Sequence, residues 1–409
     1  MNIHLPRNLL VAQSGGPTAV INSSVTGVVD EAMRHQKIAG IYGAVNGILG
    51  VLREELVDLR EEDPVSIRNL RRTPSAALGS CRYKLRPQDY ARVMEVLTAH
   101  DVGHFICAGG NDSMETAREI DDLAEKRRYD LNVMGVPKTV DNDLLVTDHC
   151  PGYGSVSRFN AIAARDSSLD TEAIYTADTV KIIETMGRDT GWITASTALA
   201  RTEKDEGPHL IYLPERPFLL DKFLQDVDLV YRRLRKVVVC VCEGLKDEKG
   251  EFLTASDKAI DTDRFGHRQL GGVGDYLARL VSSKLNIKAR CDRPGTIQRV
   301  SMTCASNVDI DEAYSVGQAA VRACVEGISG KMVTLVRKPG VEYSCASGLV
   351  DLKDVALEKK SVPDSFINEE SNYVTQGFLD YVRPLIGESL PEYSHLKKKM
   401  LERLLPPYD

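Results

Sequence analysis

The sequence lacks several features that would assign it at once to a common class. In 409 residues with 43% hydrophobic content, no run of about 18 consecutive apolar residues occurs, which excludes an ordinary membrane-spanning helix. The net charge is −7 and no basic patch interrupts the acidic balance, so we expect no nucleic-acid partner and no membrane partner. Short repeats and low-complexity tracts are also absent. The remaining composition is typical of a globular enzyme that is long enough for two domains.

The nine cysteines are an odd number, and none forms a CxxC pair with zinc spacing. Cys240 and Cys242 alternate along the apolar run "VVVCVCEG", so we interpret them as buried free thiols on one face of a strand. The first residues, "MNIHLPRNLLVAQSGG", contain no apolar stretch of signal-peptide length. We therefore expect a reduced, cytoplasmic protein.

Short apolar runs that end in glycine or polar residues alternate with stretches of helical periodicity. The runs "NLLVAQSGG", "HFICAGGND", "NVMGVPKT", "VKIIETMG", "HLIYLPE", "VVVCVCEG" and "KMVTLVRK" have the length and composition of buried strands. Apolar residues at helical spacing predict helices over 22–34, 91–99, 113–124 and 221–234. This alternation predicts an α/β protein with parallel sheets covered on both faces, in which ligands bind beyond the carboxyl ends of the strands.

Two other segments have a weaker pattern. Residues 246–275 are rich in Gly, Asp, Glu and Lys, and we interpret them as an insertion or a mobile loop. The tail that begins "GFLDYVRPLIG" is apolar at first, and its end, "HLKKKMLERLL", predicts an amphipathic helix that packs on the body or on a partner subunit.

Two of the predicted strands run into a glycine pair that a helix follows. The pairs are Gly15-Gly16 in "LLVAQSGGPTAVINSS" and Gly109-Gly110 in "CAGGNDSMETA". Glycines there let backbone N–H groups approach an anion, and the helix start adds partial positive charge. Neither loop is a Walker loop or a GxGxxG motif, and a tight turn would explain each one alone. Two such loops in one half favour a polyphosphate site, where Asp112 either faces the ligand or caps the helix.

The stretch "GVPKTVDNDL" combines groups suited to phosphoryl transfer. Asp141 and Asp143 flank Asn142, beside Lys138 and Thr139, directly after a predicted strand. A carboxylate next to a lysine and a hydroxyl suits deprotonation of an alcohol as it attacks phosphorus. The lysine would offset charge that develops on the transferred group. The alternative is an Asx-turn with an incidental lysine.

Arginines follow two further strands. Arg188 in "IIETMGRDTGW" could hold a phosphate with its fork of donors. The stretch "RCDRPGTIQR" adds Arg290, Arg293 and Arg299, which in an acidic protein favours a sugar-phosphate or carboxylate ligand. Glu243, at the end of "VVVCVCEG", would accept hydrogen bonds from sugar hydroxyls or cap the next segment.

Together these motifs resemble those of the phosphofructokinase family. "SGGPTAVIN", "GSCR", "AGGNDS", "PKTVDND", "ETMGRDTG", "CEG" and "PGTIQR" occur in the family's order over roughly residues 8–305. The resemblance implies two Rossmann-like three-layer domains with parallel-rich sheets and the active site between them. It implies a phosphoryl-donor domain of residues 1–152 plus about 299–370, and a sugar-phosphate domain of residues 153–298 plus about 371–409.

The resemblance also assigns roles to single residues. Asp141 matches the base that takes the proton of the sugar's 1-hydroxyl, and the other matching catalytic residues are Lys138, Asp112 and Arg188. The implied donor-binding residues are Gly15, Gly16, Arg82, Gly110, Asp112 and Ser113. The implied sugar-phosphate-binding residues are Thr139, Val140, Asp141, Lys181, Met186, Gly187, Arg188, Glu243, Arg290, Thr296 and Arg299. A magnesium ion would be held at Asn111 and Asp143, and Arg290 would reach the site of a neighbouring subunit, which implies a homodimer or homotetramer.

Three positions depart from the family's usual pattern. Asn111 replaces an Asp near magnesium, so the metal would be held mainly by substrate oxygens and water. Thr296 replaces the usual His or Tyr. Thr179 stands where relatives have an arginine, and Lys181, on the same face of the strand, would substitute with a point charge.

Asp112 and Lys138 predict the phosphoryl donor. ATP-dependent members of the family have Gly at both positions, whereas pyrophosphate-dependent members have Asp and Lys. The carboxylate of Asp112 would lie near the α-phosphate of ATP, and two unit charges about 4 Å apart repel by about 4 kcal/mol at an effective dielectric of 20. We therefore expect reversible transfer from pyrophosphate to the 1-hydroxyl of fructose 6-phosphate. The alternatives are an ATP-dependent member and a non-catalytic, sugar-phosphate-binding regulatory subunit.

Overall fold

The computed structural model of the chain describes residues 5–254, 272–355 and 358–405. Most of the predicted insertion at 246–275 therefore lies outside the described residues. Within the described part the strands are β1 (Arg7–Gln13), β2 (Ile38–Ala44), β3 (Leu56–Asp58), β4 (Val102–Gly109), β5 (Asn132–Pro137), β6 (Val180–Thr185), β7 (Leu210–Tyr212), β8 (Val237–Cys242), β9 (Ala289–Asp292), β10 (Lys331–Arg337) and β11 (Cys345–Asp351). All seven of the predicted strands are confirmed.

The helices lie between these strands and cover them. Within the described residues they are α1 (Ile21–Ala32), α2 (Ile48–Arg53), α3 (Pro64–Leu70), α4 (Asp89–Ala99), α5 (Asn111–Arg127), α6 (Tyr153–Ala173), α7 (Trp192–Ser196), α8 (Leu220–Leu234), α9 (Val273–Leu285), α10 (Ile297–Val300), α11 (Asn307–Val325), α12 (Leu352–Val355) and α13 (Gln376–Val382). Helices α1, α4, α5 and α8 confirm the four predictions. The two longest helices, α6 and α11, are not among the predicted ones. Of the described residues, no helix combines the length and the apolar character needed to cross a bilayer.

The described strands form two sheets. One has the order β11-β10-β5-β4-β1-β2-β3, and the other has the order β7-β8-β6-β9. The second sheet is parallel throughout, whereas the first has antiparallel pairs at its two edges, β2 with β3 and β10 with β11. The prediction of parallel-rich sheets is confirmed. The proposed domain boundaries stay a prediction.

Both faces of each sheet are covered by a buried apolar core. Along β1, Leu9 and Val11 belong to one core cluster, and Leu10 and Ala12 belong to another. Because successive side chains of a strand point to opposite faces, helices must lie on both sides of this sheet. Cys240 and Cys242 are buried free thiols on β8, as predicted.

Helices α1 and α11 pack closely because glycines lie at their contact. A Cβ atom added at Gly27 would lie 2.1 Å from the backbone oxygen of Tyr314. One added at Gly317 would lie 2.1 Å from the backbone oxygen of Ser24. These distances leave no room for a side chain, so both positions require glycine at this spacing.

The end of the chain differs from its predicted structure. Residues 387–405 contain no helix, so the prediction of an amphipathic helix is wrong. Its apolar side chains are exposed, among them Leu396, Met400 and Leu401. A short helix in water needs packing of its apolar face to be stable, and nothing in the described residues covers this one.

Candidate active site

Three neighbouring parallel strands of the first sheet end at the same edge, and the predicted loops follow them there. Strand β1 leads into residues 14–16, β4 into Gly110 and the start of α5, and β5 into Lys138. Because β5, β4 and β1 are adjacent in the sheet, the three loops lie side by side. The N–H group of Lys138 donates to the carbonyl oxygen of Gly109 at 3.0 Å. This hydrogen bond joins the loop after β5 to the loop after β4.

Lys138 packs against the first glycine loop. Its side chain is buried, and its Nζ donates a hydrogen bond of 3.0 Å to the carbonyl oxygen of Gly16. Gly15 has a φ of +78°, and a Cβ atom there would lie 3.0 Å from Lys138 Nζ, so glycine allows the ammonium to approach the loop. Burial, and then the neighbouring Arg299, lower the pKa of Lys138 to about 8. An anionic ligand bound between Lys138 and Arg299 would raise the pKa of Lys138 again.

Asp141 lies in the turn that follows β5. The N–H group of Asp141 donates to Thr139 Oγ1 at 3.1 Å, and Thr190 Oγ1 donates to the Asp141 carbonyl oxygen at 3.1 Å. Burial, and then the charge of Asp143, raise the pKa of Asp141 to about 7. A carboxyl group that titrates near neutral pH has the basicity expected of a general base.

Asn111 and Asp143 are in contact, as their predicted metal-binding role requires. Asn111 Nδ2 donates to Asp143 Oδ2 at 3.3 Å, while Asn111 Oδ1 is buried without a hydrogen-bond partner in the described part of the chain. Amide and carboxylate oxygens are ligands that Mg²⁺ accepts, so the pair fits a divalent cation. Among the described residues no group of three or more His, Cys, Asp or Glu side chains could hold a metal, so substrate oxygens would complete the coordination.

The second sheet contributes the opposite side of the site. Residues 186–188 follow β6, and Glu243 follows β8. The N–H group of Gly187 donates to Glu243 Oε1 at 3.2 Å. Burial, and then the charge of Asp141, raise the pKa of Glu243 to about 7. The carboxyl groups of Asp141 and Glu243, one from each sheet, are therefore close enough to influence each other's ionisation.

Arg188 and Arg299 carry unused hydrogen-bond donors. The Nε atom of each is buried and has no partner among the described residues. Arg299 lies against Gly16, where an added Cβ would be 2.7 Å from its Nη1, and its charge interacts with Asp141 and Glu243. Buried polar atoms are nearly always hydrogen-bonded, so two unpartnered guanidinium donors indicate an anionic ligand such as a phosphate.

Asp112 lies where the two glycine loops meet. It is in the first turn of α5, but the N-cap position itself is occupied by Gly110. Its negative charge is stabilised by the partial positive charge at the N-terminus of the helix. Asp112 and Ser14 line one small cavity of about 10 Å³, together with Ser113. The side chain is exposed and is therefore accessible to a donor bound at this edge.

The other predicted residues of this edge lie around its centre. Thr139 and Val140 are buried in the turn that carries Asp141. Thr296 is exposed at the N-cap of α10, the helix that bears Arg299. Arg82 is exposed. Burial lowers the pKa of Arg299, and the nearby charge of Arg82 lowers it further.

Lys181 and Arg290 lie away from the carboxyl end of β6, which borders the site. They are neighbours in register on β6 and β9. Lys181 lies five residues before Met186, which is about 16 Å along a strand at 3.3 Å per residue. Lys181 Nζ is 3.0 Å from a carboxylate oxygen of Asp292, and Arg290 Nε is 2.8 Å from one of Asp178. Their sugar-phosphate role, including the role of Arg290 in a neighbouring subunit, stays a prediction.

The site also contains residues that sequence reasoning missed. The Gln298 Oε1 atom accepts a hydrogen bond from the Met186 N–H group at 3.2 Å and so positions residues 186–188. Gln298 belongs to the recognised stretch "PGTIQR", which could have marked it. Lys359 interacts with Asp141 and Asp143, but it lies in "LEKKSV", where no motif distinguishes it from a surface lysine.

Comparisons with known proteins agree with this geometry. The model of the family described as Phosphofructokinase matches residues 8–324. A protein of Xanthomonas campestris pv. campestris (strain B100), named pyrophosphate–fructose 6-phosphate 1-phosphotransferase, is 41% identical over 98% of this chain and 99% of its own length. A protein of the same name from Rhodospirillum rubrum is 40% identical over 97% and 98%. The crystal structure of a pyrophosphate-dependent phosphofructokinase from Marinobacter aquaeolei matches with a TM-score of 0.85 and 38% identity, over 98% of each chain.

Proposed function

The chain belongs to the phosphofructokinase family, and on that premise we propose that it transfers a phosphoryl group from pyrophosphate to the 1-hydroxyl of fructose 6-phosphate. The products are fructose 1,6-bisphosphate and inorganic phosphate, and the transfer is reversible. The observation that carries the proposal is the pair Asp112 and Lys138 at the ends of adjacent strands. Full-length relatives named for this reaction support it.

In this mechanism Asp141 removes the proton from the sugar's 1-hydroxyl. The hydroxyl oxygen forms a new bond to one phosphorus of pyrophosphate, and the bond from that phosphorus to the bridging oxygen breaks. The bridging oxygen leaves with the other phosphate. Hydrogen bonds from Thr190 to Asp141 and from Asp141 to Thr139 hold the turn, so the carboxylate is positioned before substrate binds.

The positive groups lie where charge develops. Lys138 reaches the site from the donor-binding edge, and Arg299 lies between that edge and Glu243. The Nε atoms of Arg188 and Arg299, which have no partner in the described part of the chain, donate to phosphate oxygens in the complex. Glu243 accepts hydrogen bonds from the sugar. Preorganised donors of this kind stabilise a transition state because they need no rearrangement during the reaction.

Membership of this phosphotransferase family implies a divalent metal, and we propose that Mg²⁺ serves here. Asn111 and Asp143 would hold it, since Asn111 Oδ1 is a buried acceptor without a partner among the described residues. When bound, Mg²⁺ would neutralise negative charge on the donor's oxygens.

We also propose that the two sheets divide the work. The donor loops belong to the sheet of residues 1–152 plus about 299–370, and residues 186–188 and Glu243 belong to the half formed by 153–298 plus about 371–409. The nine cysteines are free thiols, which supports action in the reducing cytoplasm.

A donor screen tests this function. Purified protein is supplied with fructose 6-phosphate, Mg²⁺ and either pyrophosphate or ATP, and fructose 1,6-bisphosphate is measured. We expect turnover with pyrophosphate and little with ATP. Turnover with ATP alone would support the ATP-dependent alternative. Binding of fructose 6-phosphate without turnover on either donor would support a regulatory subunit.

A further inference from the structure

A short segment, residues 358–362, is hydrogen-bonded to the loop of residues 143–148 and is called the strap. Its centre is Lys360, whose N–H group donates to the carbonyl oxygen of Asp143 at 2.9 Å. The Nζ atom of Lys360 donates to the carbonyl oxygens of Thr147 at 3.0 Å and Asp148 at 2.8 Å. The strap is thus attached to the loop that carries the catalytic carboxylates.

The strap is also attached to the second sheet's side of the site. Trp192 Nε1 donates to the carbonyl oxygen of Lys360 at 2.8 Å, and the N–H group of Val362 donates to Glu215 Oε1 at 3.0 Å. The same Glu215 oxygen accepts a hydrogen bond of 2.8 Å from the Gly191 N–H group, close after Arg188 in the chain. Because the strap is attached on both sides, the backbone that carries the side chain of Lys359 is held in place.

That neighbouring side chain is Lys359, which faces the catalytic turn. Its Nζ contacts Asp189 Oδ2. The next residue, Lys360, donates from its N–H group to the carbonyl oxygen of Asp143 at 2.9 Å, so Lys359 lies beside the turn that carries Asp141 and Asp143. Lys359 is therefore a cation within interaction distance of three carboxylates at the place where the phosphoryl group is transferred.

An ion pair with Asp189 does not account for this placement. The side chains of Lys359 and Asp189 are 43% and 34% exposed, and ion pairs of that exposure stabilise a fold by only about 0–1 kcal/mol. An ammonium has three donors, and among the described residues Asp189 is the one hydrogen-bond acceptor that Lys359 contacts. The remaining donors are available to an anionic substrate.

The charges around the reacting group lead to the same place. Lys138, Arg188 and Arg299 approach the site from the glycine loops and from the second sheet. On the side of Asp141 and Asp143, an anionic donor would meet negative charge. A cation on this side would offset that repulsion, and the strap supplies one.

We propose that Lys359 is a further phosphate-binding residue, and that its ammonium exchanges Asp189 for an oxygen of the phosphoryl group in transfer. The inference rests on the proposed function, which supplies that group. The attacking hydroxyl gives its proton to Asp141, so the phosphorus passes beside Asp141 and within range of Lys359. A flexible lysine side chain needs only a rotamer change to make the exchange.

The experiment compares four variants of the full chain. Lys359→Met removes the positive charge, and Lys359→Gln also removes it but keeps a polar side chain. Asp189→Asn removes the negative charge of the resting partner and keeps the lysine. Lys353→Met is the matched control, because Lys353 is exposed on α12, a few residues before the strap. Thermal melting establishes that each variant is folded. The values of kcat and KM are then measured with pyrophosphate and with fructose 6-phosphate varied in turn.

We expect Lys359→Met and Lys359→Gln to lower kcat/KM for pyrophosphate by about 10²-fold, as loss of a transition-state charge partner does. Asp189→Asn should stay within about threefold of wild type, since it frees the lysine for substrate. Lys353→Met should be unchanged. Equal losses in Lys359→Met and Asp189→Asn, or no loss in Lys359→Met, would overturn the proposal. If wild type used ATP instead, the proposed donor would be wrong, and the same comparison with ATP would still decide the role of Lys359.

Discussion

At the scale of single residues, the site contains charged groups that are buried beside groups of the same charge. Lys138 lies beside Arg299, and Asp141 lies beside Asp143, so like charges are held together in both cases. Burial and like charge together move the pKa of Lys138 down and that of Asp141 up, both toward neutrality. Such an arrangement is energetically unfavourable in the free protein, and binding of an anionic substrate and a cation would stabilise it.

Asp141→Asn tests the base. The amide keeps the shape of the side chain but does not accept a proton, so kcat should fall by at least the ~10²–10⁴ that base catalysis supplies. Binding of fructose 6-phosphate, measured by calorimetry, should be largely retained. Asp205→Asn, at an exposed carboxylate, is the matched control. A near-normal kcat in Asp141→Asn would exclude it as the base.

Asp112→Gly tests donor selection. Removal of the carboxylate should strengthen ATP binding by up to a few kcal/mol, each ~1.4 kcal/mol being tenfold, and should weaken use of pyrophosphate. Good ATP turnover would require Lys138→Gly as well, because the lysine occupies space near the transferred group.

The deciding quantity is the ratio of kcat/KM for ATP to that for pyrophosphate, in wild type and in Asp112→Gly. If Asp112 acts only at the helix start, the variant loses about 0.5–2 kcal/mol of stability and the ratio does not change. An unchanged ratio in a folded variant would therefore reject selection by charge.

At the scale of elements, two contacts hold the layers that position the catalytic turn. Helices α1 and α11 touch through Gly27 and Gly317. The loop after the catalytic turn is fixed to α11 by His149, which lies between Asp148 and Glu312. Both contacts join segments that are far apart in the chain, and each leads to a stability measurement.

Gly27→Ala should separate α1 from α11. The added methyl group would lie 2.1 Å from a backbone oxygen that no rotamer change can move, so we expect a loss of about 1–3 kcal/mol in the free energy of unfolding. The measurement is chemical denaturation. Gly377→Ala in α13 is the control, because a Cβ atom there has its nearest neighbour at 3.6 Å and alanine favours a helix. Equal stability of the two variants would contradict the close approach.

His149 should make stability depend on pH. Burial lowers its pKa, but hydrogen bonds of 2.8 Å to Asp148 and 2.6 Å to Glu312 outweigh burial, and the net pKa is raised. A raised pKa gives stability that is full below the unfolded value of about 6.5 and is lost as pH rises through the folded pKa.

The test compares wild type with His149→Gln by denaturant unfolding at pH 6 and pH 9. We expect the variant to cost about 3–5 kcal/mol at pH 6, as breaking a buried ion pair does, and clearly less at pH 9. His395→Gln, at an exposed histidine, should show no such difference. The same cost at both pH values would mean that His149 is not charged in the folded protein.

At the scale of the whole molecule, the site forms where the ends of two sheets face each other. Asp141 follows a strand of one sheet, Glu243 follows a strand of the other, and Thr190 hydrogen-bonds across. Arg290 lies away from this junction, which agrees with a role in a neighbouring subunit, although its contact there stays a prediction.

Hybrid oligomers test that role. In a mixed dimer of Asp141→Asn and Arg290→Ala chains, one site would contain both defects and the other would contain neither. A fully exchanged equal mixture should then recover about a quarter of wild-type activity, whereas each variant alone is nearly inactive. Mixtures that exchange subunits, as mass measurements would establish, and stay inactive would place Arg290 in the site of its own chain.

The sequence by itself determined the local parts of this protein. Strand runs such as "HFICAGGND", the glycine loops and the turn that bears Asp141 are written in adjacent residues, because burial of a strand and the freedom of glycine are local requirements. Since polar residues after parallel strands collect at one sheet edge, the sequence also placed most of the site. The failure at the chain end has the opposite cause: helical periodicity in "HLKKKMLERLL" does not specify a surface for the helix to pack on.

Only the tertiary structure decided what distant segments do to one another. It placed Lys359 beside Asp141 and Asp143, and it carried Lys181 and Arg290 away from the carboxyl end of β6. It also left the buried Nε atoms of Arg188 and Arg299 without a partner among the described residues. Interaction between charges depends on their distance and burial in space, and neither can be read from separation along the chain. For that reason the sequence predicted which groups perform the chemistry, and the fold determined the ionisation and the neighbours of those groups.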